Sequence, residues 1–162
     1  MPRSFSSRGG SLTAEQAEDL LYMLEEEKLA GDLYDQLATQ TGLSVFSRIA
    51  ESEDRHFNAL LRVAERSDLA VDAITGLPSG EYANTDLQNL YDDLLEQASM
   101  GTLEALQVGA LVESTDIQDL QEAMLGLEDS ALGRVYSHLL EGSERHLEAF
   151  TGQIAVWADL AF

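Results

Sequence analysis

The chain contains no cysteine, which excludes disulfides, thiolate chemistry and any cysteine-ligated iron–sulfur or rubredoxin-type site. No apolar run approaches the roughly 18 residues of a membrane-spanning helix. Basic side chains are scarce: eight arginines and one lysine, Lys28, stand against 30 acids, a net charge of −21. Neutralising phosphates requires a basic face, so nucleic acid is not an expected partner; the negative field instead concentrates cations near the surface. Prolines number two and 44% of the 162 residues are apolar, an ordinary globular composition. The N-terminal MPRSFSSRGGS has no apolar stretch of the kind a signal peptide carries. Residues 1–12 therefore read as a flexible tail and residues 13–162 as one domain, with a cytoplasmic location and no membrane contact as the expectation.

Helix signals are frequent and strand signals almost absent. Thr13 and Gln16 form a candidate capping box for a helix running to about residue 39. Gly42 closes that helix, and Ser44 is placed to cap a second one reaching about Arg66. Residues 67–84 hold Gly76, Pro78 and Gly80 and admit no long regular element. Thr85 and Gln88 suggest a second capping box, opening a short helix over 86–99, and Gly101 bends or breaks the chain. A third long helix over about 101–125 stops at Gly126, and a fourth runs from near Asp129 to about Trp157. The tight turns make the first and second long helices antiparallel neighbours, and likewise the third and fourth. The connection over 67–100 is long enough to run the length of a bundle. The expected fold is all-α: a ferritin-like antiparallel four-helix bundle with one long crossover that contains a short extra helix.

Each long helix carries a seam of apolar or small residues at alternating spacings of three and four. The first reads Leu20, Leu24, Glu27, Gly31, Tyr34, Ala38; the second Phe46, Ile49, Glu53, His56, Leu60, Val63. The third reads Leu103, Leu106, Ala110, Glu113, Ile117, Leu120, Met124; the fourth Leu132, Tyr136, Leu139, Ser143, His146, Phe150. Every seam turns polar only near its middle. The predicted midpoints fall near residues 26, 55, 113 and 143, and Glu27, Glu53, His56, Glu113 and His146 all lie within about 5 Å of that level at 1.5 Å rise per residue. Three carboxylates converging in a core cannot all ionise without a cation. An oxygen-rich set with two imidazoles suits Fe(II), Mn(II) or Zn(II) and is poor for Ca(II).

Taken singly, these signals are weak. A Glu-x-x-His pair such as Glu53/His56 can be a solvated helix pair, and Glu27 sits in a charge run whose Glu25 and Glu26 are expected on an exposed face. Glu113 lies between Ala110 and Ile117, both expected to be buried. His138 is off the seam and reads as surface. Asp116 is placed to orient a ligating imidazole. Tyr34 and Tyr136 read as packing residues with hydrogen-bonded hydroxyls.

These residues resemble the ferritin-like superfamily, rubrerythrin in particular, over about residues 14–155. Glu27 and Tyr34 in EKLAGDLY, Glu53 and His56 in ESEDRH, and Glu113 and Asp116 in ESTD carry the resemblance. The wording of EEEKLAGDLY, FSRIAESEDRH and GSERHLEAF is similar to that of a prokaryotic ferritin-like family related to rubrerythrin. Two departures stand out. The fourth helix has Ser143-x-x-His146 where the pattern has Glu-x-x-His, and Ala110 replaces a further Glu. Gly142 and Ser143 are then expected to leave room for an exogenous ligand. The resemblance implies two divalent ions, iron foremost with Mn or Zn as alternatives. Glu27 and Glu113 would be terminal ligands, Glu53 the bridge, His56 and His146 the nitrogen ligands, with Asp116, Ser143 and Tyr34 behind them. The implied activity is oxidation of Fe(II) by O2 or reduction of H2O2, as in a ferroxidase or rubrerythrin-like peroxidase, with a separate electron donor. A non-redox protein holding one Zn or Mn ion is the alternative, and an interaction module with only a hydrogen-bonded polar centre is a third reading. The apolar C-terminal QIAVWADLAF either packs on a second subunit, giving a homodimer, or covers the end of its own bundle.

Overall fold

The computed structural model describes residues 12–160, so residues 1–11 of the expected tail lie outside the described residues. Six helices and no strands occur among them: α1 (Ala14–Thr41), α2 (Ser44–Arg66), α3 (Asp72–Thr75), α4 (Thr85–Ala98), α5 (Thr102–Ala123) and α6 (Ala131–Leu160). Helix α1 opens on the expected box, with Gln16 N donating to Thr13 Oγ1 at 3.1 Å and Thr13 N to Gln16 Oε1 at 2.9 Å. It closes on Gly42, whose φ of 71° is the left-handed conformation that a side chain would strain. Two caps differ from expectation. Leu43, not Ser44, precedes α2 and offers no side-chain bond. Asn84, not Thr85, caps α4 by accepting from Leu87 N at 3.0 Å. Gln88 is unavailable for a capping box there because its side chain is engaged by Tyr82 N and Gly80 O. At Gly101 the chain breaks, separating α4 from α5.

The long helices pair α1 with α2 and α5 with α6, and α1–α5 and α2–α6 contacts close the set; α4 lies against α1 and α5. The apolar interior is in two parts. One cluster joins Leu33, Phe46, Leu106 and Phe150, the other Leu24, Leu60, Leu120 and Leu139. The residues between them along each long helix form the polar layer. Ile154 and Trp157, near the C-terminal end of α6, pack against the first cluster of the same chain. No described helix is long and apolar enough to cross a membrane.

The α5 seam is rotated from its expected position. Leu103, Ala110, Ile117 and Met124 are only half-buried, while Ala105, Gly109, Val112 and Asp116 are buried. Helix α5 is flanked by α1, α4 and α6, so its buried face is wider than a two-neighbour seam. Gly109 permits the close approach: a Cβ there would lie 2.7 Å from the Phe150 ring.

The charge run of α1 also departs from expectation, because Glu25 and Glu26 are each only 5% exposed. Glu25 accepts from Ala83 N at 2.7 Å and Asn84 N at 3.1 Å. Lys28 Nζ donates to Asp32 Oδ2, Pro78 O and Glu81 O at 2.9–3.0 Å. Burial of Glu25 thus comes from the crossover, whose backbone needs the partners that Glu25 and Lys28 supply.

Candidate metal centre

Between the two apolar clusters each long helix turns polar side chains inward: Glu27 from α1, Glu53 and His56 from α2, Glu113 and Asp116 from α5, Ser143 and His146 from α6. All are buried, none more than 8% exposed. They are brought together because each replaces an apolar residue near the middle of a face that is otherwise core.

Two groups of potential ligands result, Glu27–Glu53–His56 and Glu53–Glu113–His146, each with ligand atoms within 4.8 Å of one another. Glu53 belongs to both. Its Oε2 lies 3.2 Å from His56 Nδ1, and its Oε1 lies 2.9 Å from His146 Nδ1. Glu27 Oε2 stands 3.4 Å from His56 Nδ1, and Glu113 Oε1 stands 3.3 Å from His146 Nδ1. The centre is therefore nearly symmetric, with one shared carboxylate, two outer carboxylates and two imidazoles turning Nδ1 inward. The imidazoles stack at 5.6 Å between centroids.

The surrounding contacts hold these groups in place. Tyr34 donates to Glu113 Oε1 at 2.9 Å, the bonded hydroxyl expected of it. His146 Nε2 meets Ser52 Oγ at 3.0 Å, a contact that holds the ring with Nδ1 turned toward Glu53 and Glu113. Sequence reasoning missed Ser52; its place beside Glu53 on α2 was the available signal. Asp116 does not orient an imidazole: its Oδ2 accepts from Ser143 Oγ at 2.8 Å. Gly142 does not leave room for an exogenous ligand, since a Cβ there would lie 2.7 Å from His56 Cε1 and Nε2. The imidazole itself fills that space. His138 is exposed as expected, edge-on to His56 at 6.5 Å. The hydroxyl of Tyr136, expected to be bonded, has no partner among the described residues, while its ring fills the second apolar cluster.

Burial, reinforced by neighbouring carboxylates, holds Glu27, Glu53 and Asp116 above the usual carboxylate range, Glu27 and Glu53 well above it. The charged neighbours are chiefly Asp116 for Glu27 and Glu113 for Glu53 and Asp116. Both oxygens of Glu27, Glu113 Oε2 and Asp116 Oδ1 lack a hydrogen-bond donor among the described residues. Buried acceptors without donors are costly as they stand, and a cation would satisfy them together. Lys28, the single lysine, is committed to the crossover. Buried carboxylates at and beside the centre number five once Glu26 and Asp116 join Glu27, Glu53 and Glu113. That is more buried acid than the seams alone suggested, while Ser143 supplies no carboxylate where a second bridging one was expected. These clusters can bind metal.

The comparisons with known proteins agree with one another. A family model described as "Uncharacterized protein domain (DUF2202)" matches residues 16–157. A protein of Methanocaldococcus jannaschii, "Uncharacterized protein MJ0754", is 34% identical over 139 residues, spanning 86% of this chain and 75% of that one. The crystal structure of the hypothetical protein MJ0754 superposes with a TM-score of 0.88 at 31% identity, covering 98% of this chain and 86% of that chain. The polar layer thus lies wholly within the segment that the family model matches, and the chain belongs to the DUF2202 family.

Proposed function

We propose that this is a ferritin-like four-helix bundle protein whose buried layer holds two divalent metal ions, iron foremost. Glu27, Glu53 and His56 would hold one ion, and Glu53, Glu113 and His146 the other. The observation that carries the reading is Glu53, each of whose oxygens faces a different imidazole, the disposition of a bridging carboxylate. Bound as Fe(II), the pair supplies two electrons for reducing O2 or H2O2. The protein's part is to fix the ligands and to limit access of water. Tyr34 orients Glu113, Ser52 fixes the His146 ring, and Gly142 makes space for His56. A separate donor would return the electrons, since the chain has no cysteine for a cluster of its own.

The test is anaerobic loading with Fe(II), mixing with O2 or H2O2, and timing the loss of Fe(II). Oxidation faster than that of free Fe(II), and abolished in Glu53→Ala, is the expected result. A rate equal to that of free Fe(II) contradicts the redox reading. The alternative, a non-redox protein holding one Zn or Mn ion, draws on Ser143, which gives its hydroxyl to Asp116 and adds no carboxylate from α6. It is favoured if one ion binds tightly and Fe(II) is not oxidised.

A further inference from the structure

Outside the centre, a heavily charged concave surface lies between the first half of α1 and the last half of α5. A pocket of about 320 Å³ is lined there by Glu15, Asp19, Tyr22, Asp119 and Glu122, over a floor of Met23 and Ala123. Four acids and no basic residue surround it. On α1 the row Glu15, Asp19, Tyr22, Glu26 keeps spacings of four, three and four. On α5 the row Asp116, Asp119, Glu122 keeps a spacing of three. Such spacings put each row on one helix face, and α1 and α5 are in contact.

Glu26 links this pocket to the interior. Its carboxylate faces those of Asp119, which lines the pocket, and Asp116, which adjoins Glu27. It is 5% exposed, and neither of its oxygens has a hydrogen-bond donor among the described residues. Asp116 Oδ1 is likewise unpartnered. Carboxylate set against carboxylate without a donor opposes folding, and the proposed ligand set does not use Glu26. A pocket of similar size on another face, about 340 Å³, holds two acids, Asp32 and Asp54, but the Lys28 ammonium in its wall bonds Asp32 at 2.9 Å and offsets part of their charge.

We propose that the acidic pocket between α1 and α5 is the entrance through which divalent cations reach the buried centre, with Glu26 relaying them from Asp119 to Asp116 and Glu27. The proposal rests on the metal-binding reading of that centre. The pocket gathers cations from solution by its field, and the unpartnered oxygens of Glu26 and Asp116 offer successive oxygen ligands on the way in. Oxygen donors alone bind a borderline divalent ion less tightly than the centre, which adds imidazole nitrogen. Transfer therefore runs inward.

The experiment is stopped-flow uptake of Co(II) by the metal-free full-length chain, followed by visible absorption, with the final Co(II) content measured separately. Glu26→Gln and Asp119→Asn are compared with wild type and with Asp93→Asn, an exposed control on α4. Uptake is expected to slow at least tenfold in Glu26→Gln and several-fold in Asp119→Asn, with final content unchanged and the control as fast as wild type. Asp119→Asn sits at the mouth and provides the test should Glu26→Gln fail to fold. His56 and His146 retain 6% and 8% exposure, so the centre has another conceivable approach from their side. Wild-type uptake rates in both variants would mean that route is used and would overturn the entrance. A wild-type chain that takes up no Co(II) would instead refute the metal reading itself, and the entrance with it.

Discussion

Glu53 is the residue on which the centre depends, because removing it takes one ligand from each of the two groups. Glu53→Ala is expected to abolish binding at both positions, whereas Glu27→Ala should weaken only the His56 side; isothermal titration with Mn(II) distinguishes the two. In the metal-free chain the same carboxylates oppose folding. Glu27 lies among other carboxylates with both oxygens unpartnered, and burial holds it well above the usual carboxylate range. Glu27→Gln should accordingly stabilise the metal-free protein by about 1–2 kcal/mol, read as a rise in Tm of several degrees. Gly142 carries the opposite expectation. Alanine there would press on the His56 ring, so Gly142→Ala should lower metal affinity at least tenfold while far-UV circular dichroism still reports an intact helical fold.

At the scale of the helices, α1 has two functions that its sequence presents as one charge run. Glu27 faces the centre, while Glu25 and Lys28 hold the crossover by bonding Ala83, Asn84, Pro78 and Glu81. Glu25→Ala takes the acceptor from the N–H groups of Ala83, which is exposed, and Asn84, which is half-buried, and is expected to cost about 1 kcal/mol. The loss should appear first as faster hydrogen exchange at residues 83–87, ahead of global unfolding. Which parts were legible beforehand follows from the same division. Alternating three–four spacing and capping pairs are local, and they located the four long helices and the inward turn of Glu27, Glu53, His56, Glu113 and His146. Burial of Glu25 and Glu26, the rotated face of α5 and the Asp116–Ser143 bond depend on what packs against each helix. No spacing within a single helix carries that information. Leu43 in place of Ser44, and Asn84 in place of Thr85, show the same limit at the caps; Gln88, the expected partner of Thr85, is taken by Tyr82 N and Gly80 O.

Across the whole molecule, buried acid is matched by too little base, and this sets a pH dependence. Burial raises Glu26, Glu27, Glu53 and Asp116 in the folded chain, so the folded state holds more protons than the unfolded state once pH passes the unfolded carboxylate value of about 4. Stability of the metal-free protein must then fall as pH rises from that point toward the raised folded values. Thermal melts in chelator are expected to give a higher Tm at pH 5 than at pH 7.5. Saturating divalent metal should reverse the order, because ions displace those protons and bind more tightly as pH rises. Equal slopes with and without metal would sever the link between the buried acids and a cation. The most direct test of the account is metal content per chain, by plasma mass spectrometry, after anaerobic reconstitution with Fe(II), beside a Glu53→Ala/His56→Ala control. The account predicts two ions per chain in the native protein and none in the control; one ion or none in the native protein, or two retained in the control, would contradict it.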